Sequence, residues 1–317
     1  MRRAHFGGGL SMLMTAEIAS GLSFPEGPVA MADGSVVMVE LTRGTLTRVL
    51  PDGAKKVVAE TGGGPNGAAV GPDGRIYVCN NGGVKLTADG QPTGDAPDGY
   101  SGGYIQRVDL ISGETEVLYT GCNGHRLCGP NDLVFDASGG FWFTDMGKVH
   151  GRQVHRGAVY YAKADGSFIK EVIAPVDGPN GIALAPGDTH LYVSQTMEGR
   201  VWKWDLAGPG EIRDEGSLLA GPFGGKFLFG SSRYQMLDSM AVDSAGNICV
   251  ATLINGGITV ISPDGASSEW IPTGDPFTTN ICFGGPDLRT AFITLSGSGK
   301  LVTMKWPRPG LKLHYNR

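Results

Sequence analysis

The sequence predicts an all-β fold, a six-bladed β-propeller with four antiparallel strands in each blade. Two observations indicate it: glycine accounts for 52 of the 317 residues, and one strand–turn–strand phrase recurs six times. The glycines follow no collagen-like period, and a hydrophobic content of 41% is sufficient for a buried core. Frequent glycine turns between short apolar runs are typical of a chain built from many short strands.

Each copy of the phrase has a small or turn residue and a polar residue near its start, then an apolar strand, a turn and a second apolar strand. The six copies occupy 24–40, 64–80, 129–145, 178–194, 237–253 and 279–295. A second strand pair follows most copies, often across an Asp-Gly turn such as Asp52-Gly53, which supplies the positive φ of a tight hairpin. A sandwich or barrel would explain the strands but not six copies at this spacing, so the repeats predict propeller blades.

Residues 15–317 are predicted to form one domain, with 1–14 as a loose tail. We expect TAEIASG at 15–21 to close the ring as the outer strand of the last blade, because closure protects an exposed edge. The C-terminal LKLHYN is the competing candidate for that place. Four longer inserts are predicted to be loops on one rim: 82–103, 121–129, 146–157 and 221–236.

Composition and charge exclude several classes of protein. The formal net charge of −5 argues against nucleic-acid and anionic-membrane partners, which call for clustered Lys and Arg. No apolar run reaches the length of a membrane span, and the N-terminus lacks a convincing cleavage site, so a cytoplasmic location is expected. Five cysteines imply no disulfide framework. Cys122 and Cys128 share a loop where a bridge or a metal site is conceivable, although two free thiols are favoured. The oligomeric state is not indicated.

One position of the repeat carries an acid or an amide in every copy: Glu26, Asn66, Asn131, Asn180, Asp238 and Asn280. Because the innermost strand of each blade lines the central channel, these side chains are expected to converge near the axis. Such bare oxygens repel one another and are costly to bury, which a hard divalent cation resolves. We expect one cation, Ca²⁺ first, with Mg²⁺, Mn²⁺ or Zn²⁺ also compatible. Asn66 and Asn280 are the weakest members, since a polar residue before a strand often only caps a turn.

Five phrases in this order resemble the senescence marker protein/gluconolactonase/luciferin-regenerating family. They are FPEGP at 24–28, GPND and its strand at 129–135, GPNG at 178–181, LDSMAVD at 237–243 and CFGG at 282–285. The resemblance extends from about 15 to 306 and is nearest to the bacterial metal-dependent lactonases. It implies a six-bladed propeller with one divalent metal in the channel.

The resemblance also implies roles for single residues. By position, the family's metal ligands correspond to Glu26, Asn180 and Asp238, and its substrate- or water-binding asparagine corresponds to Asn131. Asn131 is accordingly a candidate both for the metal and for catalysis.

Two further matches and one departure concern the substrate. Asp132 and Ser239 match an acid and a serine implicated in the bacterial lactonases. The family's sugar lactonases carry an arginine two residues before the asparagine, where this chain has Gly129, so an aldonolactone is less favoured. His125 and Arg126 lie in the nearby insert and are candidates to replace that arginine. Together with Asn66 and the rim aromatic Tyr234, they complete the set of candidate substrate contacts.

The predicted function is a divalent-metal-dependent hydrolase that opens a small-molecule lactone by attack of metal-activated water, with the ring carbonyl polarised by the metal. Asp238 is the candidate general base, Asp132 is the alternative base, and Asn131 orients substrate or water. Two other functions stay open: a non-catalytic binding platform with a structural ion, and a related propeller aryl-esterase. Rim aromatics favour a partly apolar substrate, although packing of the loops would explain them equally well.

Overall fold

The protein is a closed ring of six antiparallel sheets, seen in a computed structural model that describes residues 15–213 and 224–316. Each sheet is one blade, and its strands run from the axis outwards in chain order, except that the first strand of the chain is outermost in the last blade. This architecture confirms the predicted six-bladed propeller. The predicted tail at 1–14 and part of the insert at 221–236 lie outside the described residues.

The chain starts with β1 (Thr15–Ala19), which belongs to blade 6. Blade 1 comprises β2 (Pro25–Ala30), β3 (Val36–Glu40), β4 (Thr45–Val49) and β5 (Lys55–Glu60). Blade 2 comprises β6 (Pro65–Val70), β7 (Ile76–Asn80), β8 (Tyr104–Val108) and β9 (Thr115–Tyr119). A short hairpin, β10 (Gly121–Cys122) and β11 (His125–Arg126), leads to the next blade.

Blade 3 comprises β12 (Pro130–Phe135), β13 (Gly140–Asp145), β16 (Gly157–Lys163) and β17 (Ile169–Val176), interrupted by the hairpin of β14 (Lys148–His150) and β15 (Gln153–His155). Blade 4 comprises β18 (Pro179–Leu184), β19 (His190–Gln195), β20 (Arg200–Gly208), the small β21 (Glu211–Ile212) and β22 (Lys226–Gly230), with a 3₁₀ turn at Pro186–Asp188. Blade 5 comprises β23 (Met236–Val242), β24 (Ile248–Leu253), β25 (Gly257–Ile261) and β26 (Ser268–Pro272). Blade 6 comprises β27 (Thr278–Gly284), β28 (Thr290–Leu295) and β29 (Lys300–Lys305), with β1 outermost.

Burial decreases from the axis to the outside of each blade. In blade 1, β3 is buried along its whole length, whereas β5 is mostly exposed. Apolar side chains of neighbouring blades pack against each other, as where Tyr77 of blade 2 meets Phe135 and Phe141 of blade 3 at ring-centroid distances of 5.0 and 5.7 Å. The core is therefore a series of wedges between blades around the axis.

Pairing between the two ends of the chain closes the ring. β1 pairs with β29, Thr15 lying opposite Met304, and Glu17 forms an ion pair with Lys300 at 2.8 Å. This confirms TAEIASG, and not LKLHYN, as the closing strand. We call the face where the inner strands begin the upper face, and the face of their first turns the lower face.

The segment after β29 crosses the lower face, and we call residues 307–316 the C-terminal strap. Arg308 Nε contacts Asp243 Oδ2 of blade 5 at 2.5 Å, and Leu311 N donates to Val242 O at 2.8 Å. Further along, His314 Nε2 lies 2.9 Å from Asp188 Oδ2 of blade 4, and Tyr315 Oη donates to Ala137 O of blade 3 at 3.2 Å. The strap thus ties blade 6 to three others.

All five cysteines lie within the described residues, and each is a free thiol, including Cys122 and Cys128. Over the same ranges, no helix is long and apolar enough to cross a membrane.

Candidate functional site

The six repeat positions converge on the channel axis, where all six side chains are buried: Glu26, Asn66, Asn131, Asn180, Asp238 and Asn280. We call this set the polar ring. Each member lies near the start of an inner strand, and the register with the neighbouring strand shifts at or just after it in every blade. Such a bulge turns two consecutive residues away from regular alternation. In blade 3 the bulge explains why Asn131 and the following Asp132 both border a cavity at the ring.

Glycines allow the inner strands to approach closely at the ring. A Cβ at Gly67 would lie 2.5 Å from Asn131 O, and a Cβ at Gly181 would lie 2.6 Å from Asp238 O. Both distances are shorter than any contact that a real side chain tolerates, so these positions require glycine. The positions of the ring members are therefore fixed by backbone contacts between adjacent blades.

Hydroxyl side chains of the second strands secure the ring from outside. Thr144 Oγ1 donates to Asn180 O at 2.5 Å, and Ser194 Oγ donates to Asp238 O at 2.8 Å. In each case a residue of one blade holds the backbone of the ring member in the next blade.

Three members of the ring carry an amide oxygen without a partner. The Oδ1 atoms of Asn66, Asn131 and Asn180 are buried and accept no hydrogen bond from any described residue. Asn280 differs, because its Oδ1 accepts from Ile281 N at 2.8 Å and its Nδ2 donates to Glu26 Oε2 at 3.1 Å. Buried polar atoms without a partner are costly in a folded protein. The three oxygens are thus available to a ligand, whereas Asn280 supports Glu26.

The carboxyl groups at the axis are held in an unfavourable environment. Burial, with the charge of Asp238, raises the pKa of Glu26 well above its ordinary value. Burial also raises the pKa of Asp238 and the pKa of Asp132 to about 7 each. Among the described residues, no cationic side chain forms an ion pair within 4.0 Å with any of these three carboxyl groups. Buried acids without a counter-charge are stabilised by a cation.

The donor set fits a hard divalent cation. Two carboxylates and three amide oxygens without partners are the oxygen ligands that Ca²⁺, Mg²⁺ and Mn²⁺ prefer. The described residues contain no cluster of three or more His, Cys, Asp or Glu side chains arranged for a metal, so a cation at the ring would need the amide oxygens as ligands. Glu26, Asn180, Asp238 and Asn131 are the residues that would hold it.

The ring separates two cavities. The upper cavity, of about 1510 Å³, is bordered by Glu26, Asn66, Asn131, Asn180 and Asp238. The lower cavity, of about 100 Å³, is bordered by Asp132, Asn280 and residues of the C-terminal strap, among them Leu311 and Leu313. Asp238 therefore faces the space that a substrate can enter, whereas Asp132 faces the enclosed side.

The remaining predicted substrate contacts lie elsewhere. His125 and Arg126 are exposed on β11, where Arg126 Nη1 donates to Ser101 O at 2.5 Å, and Tyr234 is 72% exposed. None of the three is among the described residues that border the upper cavity. Ser239 is fully buried and borders neither cavity, and its side chain lies next to the Asp132 carboxyl, whose pKa it lowers. Their roles stay predictions that the geometry does not favour.

A second set of buried polar residues was not among the site residues predicted from the sequence. It comprises the last residues of four second strands, each in register with the proline before a ring member: Glu40, Asn80, Asp145 and Gln195. Their side chains hydrogen-bond the loop that leads into the ring strand, as Asp145 Oδ1 accepts from Gly129 N at 2.6 Å. We call them the anchor residues. The sequence pattern that could have identified them is a polar residue at the end of an apolar run, as in VVMVE, IYVCN, FWFTD and LYVSQ.

Other solved structures share this propeller fold. A gluconolactonase from Xanthomonas campestris superposes with a TM-score of 0.73 at 23% identity, covering 94% of this chain and 92% of its own. A calcium-binding protein, regucalcin, from Agrobacterium tumefaciens superposes with a TM-score of 0.72 at 18% identity, covering 93% and 94%. At this identity the likeness shows the fold.

The sequence places the chain within a family. The chain belongs to the SMP-30/Gluconolactonase/LRE-like family, whose model matches residues 24–297. A gluconolactonase of Zymomonas mobilis is 27% identical over 304 residues, which is 88% of this chain and 78% of that relative. The lactonase drp35 of Staphylococcus saprophyticus is 29% identical over 238 residues, covering 74% of this chain and 64% of its own length. The match thus spans less than two thirds of that lactonase. Family membership confirms the resemblance found in the sequence.

Proposed function

We propose that this chain is a divalent-metal-dependent hydrolase that opens lactone rings at the polar ring. The named relatives are lactonases, which supports a hydrolase acting on cyclic esters. The observation that carries the proposal is the set of three buried amide oxygens without partners beside two carboxyl groups, open to the upper cavity. A regucalcin relative described as calcium-binding supports Ca²⁺ as the first candidate.

The chain's own residues have distinct parts in the reaction. Glu26, Asn180 and Asp238 would hold the cation, which when bound would supply Lewis-acid polarisation of the lactone carbonyl. Asn280 keeps the Glu26 carboxylate in place through its Nδ2–H. Asn131 faces the upper cavity, and its only described side-chain contact is a long one, from Nδ2 to Met146 Sδ at 3.9 Å. Its amide is therefore free to orient a substrate or a water molecule.

A general base is needed to take a proton from the attacking water. Asp238 borders the upper cavity, and in the metal-free chain burial raises its pKa to about 7. That pKa would be lower with a cation bound, so Asp238 would act as the base on a water molecule that the cation also polarises. Asp132 lies one residue beyond the ring and borders the lower cavity, and its charge helps to raise the pKa of Asp238. We assign the base to Asp238 and an electrostatic role to Asp132.

The test measures metal binding and hydrolysis on the same protein. Chelator-stripped protein is titrated with Ca²⁺, Mg²⁺, Mn²⁺ and Zn²⁺ singly by calorimetry, and is then assayed on a sugar lactone, an aliphatic lactone, an aromatic lactone and an aryl ester. We expect lactone hydrolysis to be lost on stripping and restored by at least one cation. Glu26→Gln should weaken metal binding at least tenfold, and Asp238→Asn should lower kcat by about 10² or more.

Asp52→Asn, in an exposed turn, is the matched control and should change neither quantity. Metal binding without turnover on any substrate would contradict the proposal in favour of a binding platform with a structural ion. Turnover of the aryl ester alone would favour an aryl-esterase.

A further inference from the structure

The upper cavity has an apolar side that the roles assigned above leave unused. Five residues from the adjacent blades 5, 6 and 1 border it: Phe24, Leu41, Met236, Leu253 and Phe277. We call them the apolar wall. Phe277 is 44% exposed although it is a large apolar side chain, so a ligand in the cavity could still cover it.

The wall is continuous. Met236 and Leu253 are paired in register across β23 and β24. Ile254, which follows Leu253, donates its N–H to Pro276 O at 2.8 Å, next to Phe277. The rings of Phe277 and Phe24 meet edge to face at 6.2 Å, and Leu41 N donates to Phe24 O at 3.1 Å. One apolar surface therefore extends beside the polar ring over three blades.

The backbone of the wall offers few hydrogen bonds to a substrate. Phe24 O accepts from Leu41 N, Phe277 N donates to Asp275 Oδ1 at 2.8 Å, and Phe277 O accepts from Ser296 N at 2.8 Å. These groups are already paired within the protein. A hydroxyl group placed against this wall would lose its hydrogen bonds to water without replacement, which is unfavourable.

Cationic groups on the opposite side of the cavity are also engaged. Arg156 Nε forms an ion pair with Asp177 Oδ1 at 2.7 Å. Lys148 Nζ donates to Asn81 O at 2.8 Å and to Gly83 O at 2.5 Å, and it lies 5.0 Å from the centre of the Tyr100 ring. At position 129, a Cβ would lie 2.3 Å from Gly147 O, so no side chain fits there. Neither cation is thus free to bind the hydroxyl groups of a polyhydroxylated ring.

We propose that the lactone accepted by this site carries an apolar alkyl chain, which lies against the apolar wall while the ester faces the polar ring. This inference rests on the proposed lactonase function and names its substrate class. Burial of the chain against Phe277 and Met236 contributes binding free energy in proportion to the apolar area covered. Methionine adapts its shape, so chains of several lengths fit.

The test compares substrates that share one six-membered lactone ring: δ-valerolactone, an alkyl-substituted δ-valerolactone, the benzo-fused ring and glucono-δ-lactone. With the restoring cation present, we expect kcat/KM for the alkyl-substituted ring to exceed that for δ-valerolactone at least tenfold. We expect glucono-δ-lactone to be the poorest of the four.

Phe277→Ala tests the wall itself. It should raise KM for the alkyl-substituted lactone about tenfold, with kcat for that substrate and all constants for δ-valerolactone nearly unchanged. Phe227→Ala is the matched control, because Phe227 is 58% exposed on β22 and is not among the described residues that border the cavity. Calorimetry should show the same metal affinity in both variants.

Two outcomes overturn different parts of the account. If glucono-δ-lactone is hydrolysed best, or if Phe277→Ala leaves the alkyl preference intact, the substrate class is wrong and the lactonase function stands. If no lactone is hydrolysed with any cation, the proposed function fails and the substrate class fails with it.

Discussion

At the scale of single residues, the polar ring divides into residues with partners and residues without. Asn280 is saturated by Ile281 and Glu26, whereas Asn66, Asn131 and Asn180 each bury a bare amide oxygen. Four amides at equivalent repeat positions therefore have different chemistry. The difference lies in which neighbours reach each amide, and a single sequence does not contain that information.

The raised pKa values of Asp132 and Asp238 predict how stability depends on pH. Both carboxyls stay protonated in the folded chain up to about pH 7, whereas in the unfolded chain they ionise near pH 4. Between these values the unfolded state binds fewer protons, so the free energy of unfolding of metal-free protein should fall as pH rises from about 4 to about 7. The raised pKa of Glu26 acts in the same direction. Urea unfolding of chelated protein at pH 5, 6, 7 and 8 measures this.

Substitution separates this effect from other titrating groups. Asp132→Asn removes one carboxyl, so its stability relative to wild type should improve between pH 5 and pH 8. An added cation requires ionised ligands and should stabilise the wild type more at pH 8 than at pH 5. A stability difference between Asp132→Asn and wild type that is independent of pH would contradict the assignment.

Which residues lie at the axis was largely predictable, because the repeat aligns their positions in the sequence. The anchor residues were equally regular in the sequence and were missed, since a polar residue at the end of a strand reads as the start of a loop. Asp145 shows why. Its carboxylate accepts from the N–H groups of Cys128, Gly129 and Gly147. Cys128 and Gly129 are distant from Asp145 in the sequence, and only the fold brings their N–H groups to its carboxylate. His125 and Arg126 were chosen because they lie near Asn131 in the sequence, and Tyr234 was chosen as a rim aromatic. None of the three is among the described residues that border the upper cavity.

At the scale of elements, the inner strands determine the geometry of the site. Their repeated bulges and the glycines after ring members set how close adjacent strands come. Side-chain repacking cannot adjust these contacts, because the atoms that meet are mostly backbone atoms.

Gly67→Ala should therefore disturb both the fold and the ring. The new Cβ would lie 2.5 Å from Asn131 O and 2.6 Å from Asp132 Cα, so the strands must separate. We expect a loss of about 1–3 kcal/mol in the free energy of unfolding, together with weaker metal binding. Chemical denaturation and calorimetry measure the two effects.

Gly208→Ala is the matched control, since a Cβ there meets no atom within 4 Å. It should change stability by no more than about 0.5 kcal/mol and leave metal affinity unchanged. Equal behaviour of the two variants would show that close approach of the inner strands does not govern the ring.

Strands and their order were predictable at this scale because alternation and Asp-Gly turns are local signals. The hairpin of β14 and β15 was predicted only as part of a loop. It is held against the insert 82–103, where Ala96 N donates to Val149 O at 2.9 Å. That pairing joins segments that are distant in sequence, and no local pattern indicates it.

At the scale of the whole molecule, two devices hold the ring: closure by β1 and the C-terminal strap. Closure by β1 was predicted from the sequence, because it protects the exposed edge of the last blade. The strap was not predicted, because LKLHYN resembles a strand and its true partners belong to blades 3, 4 and 5.

Loosening the strap should expose the lower cavity. Leu311 and Tyr315 are partly buried against the lower face, where Tyr315 contacts the Phe135 ring at 5.8 Å. Leu311→Ser with Tyr315→Ser should lower the unfolding free energy by roughly 1–3 kcal/mol and speed the reaction of Cys282 with a thiol reagent. Cys282 borders that cavity, and burial raises the pKa of its thiol to about 12.

Labelling followed by peptide mapping measures the rate at Cys282, and the same strap variant carrying Cys282→Ser identifies the signal. Cys128, on the other side of the molecule, is the internal reference and should react at an unchanged rate. Unaltered labelling of Cys282 in a destabilised variant would show that the strap does not cover the cavity.

The close approach of the inner strands also bears on how such proteins can evolve. Propellers differ in their number of blades around a central channel, and an added blade would widen that channel. Here Glu26 and Asp238 belong to blades 1 and 5, and their distance is set by strands already in contact at Gly67 and Gly181. A seventh blade would move the two carboxylates apart and abolish the proposed cation site. New specificities are therefore expected to arise from the inserts and the apolar wall, with the number of blades held constant.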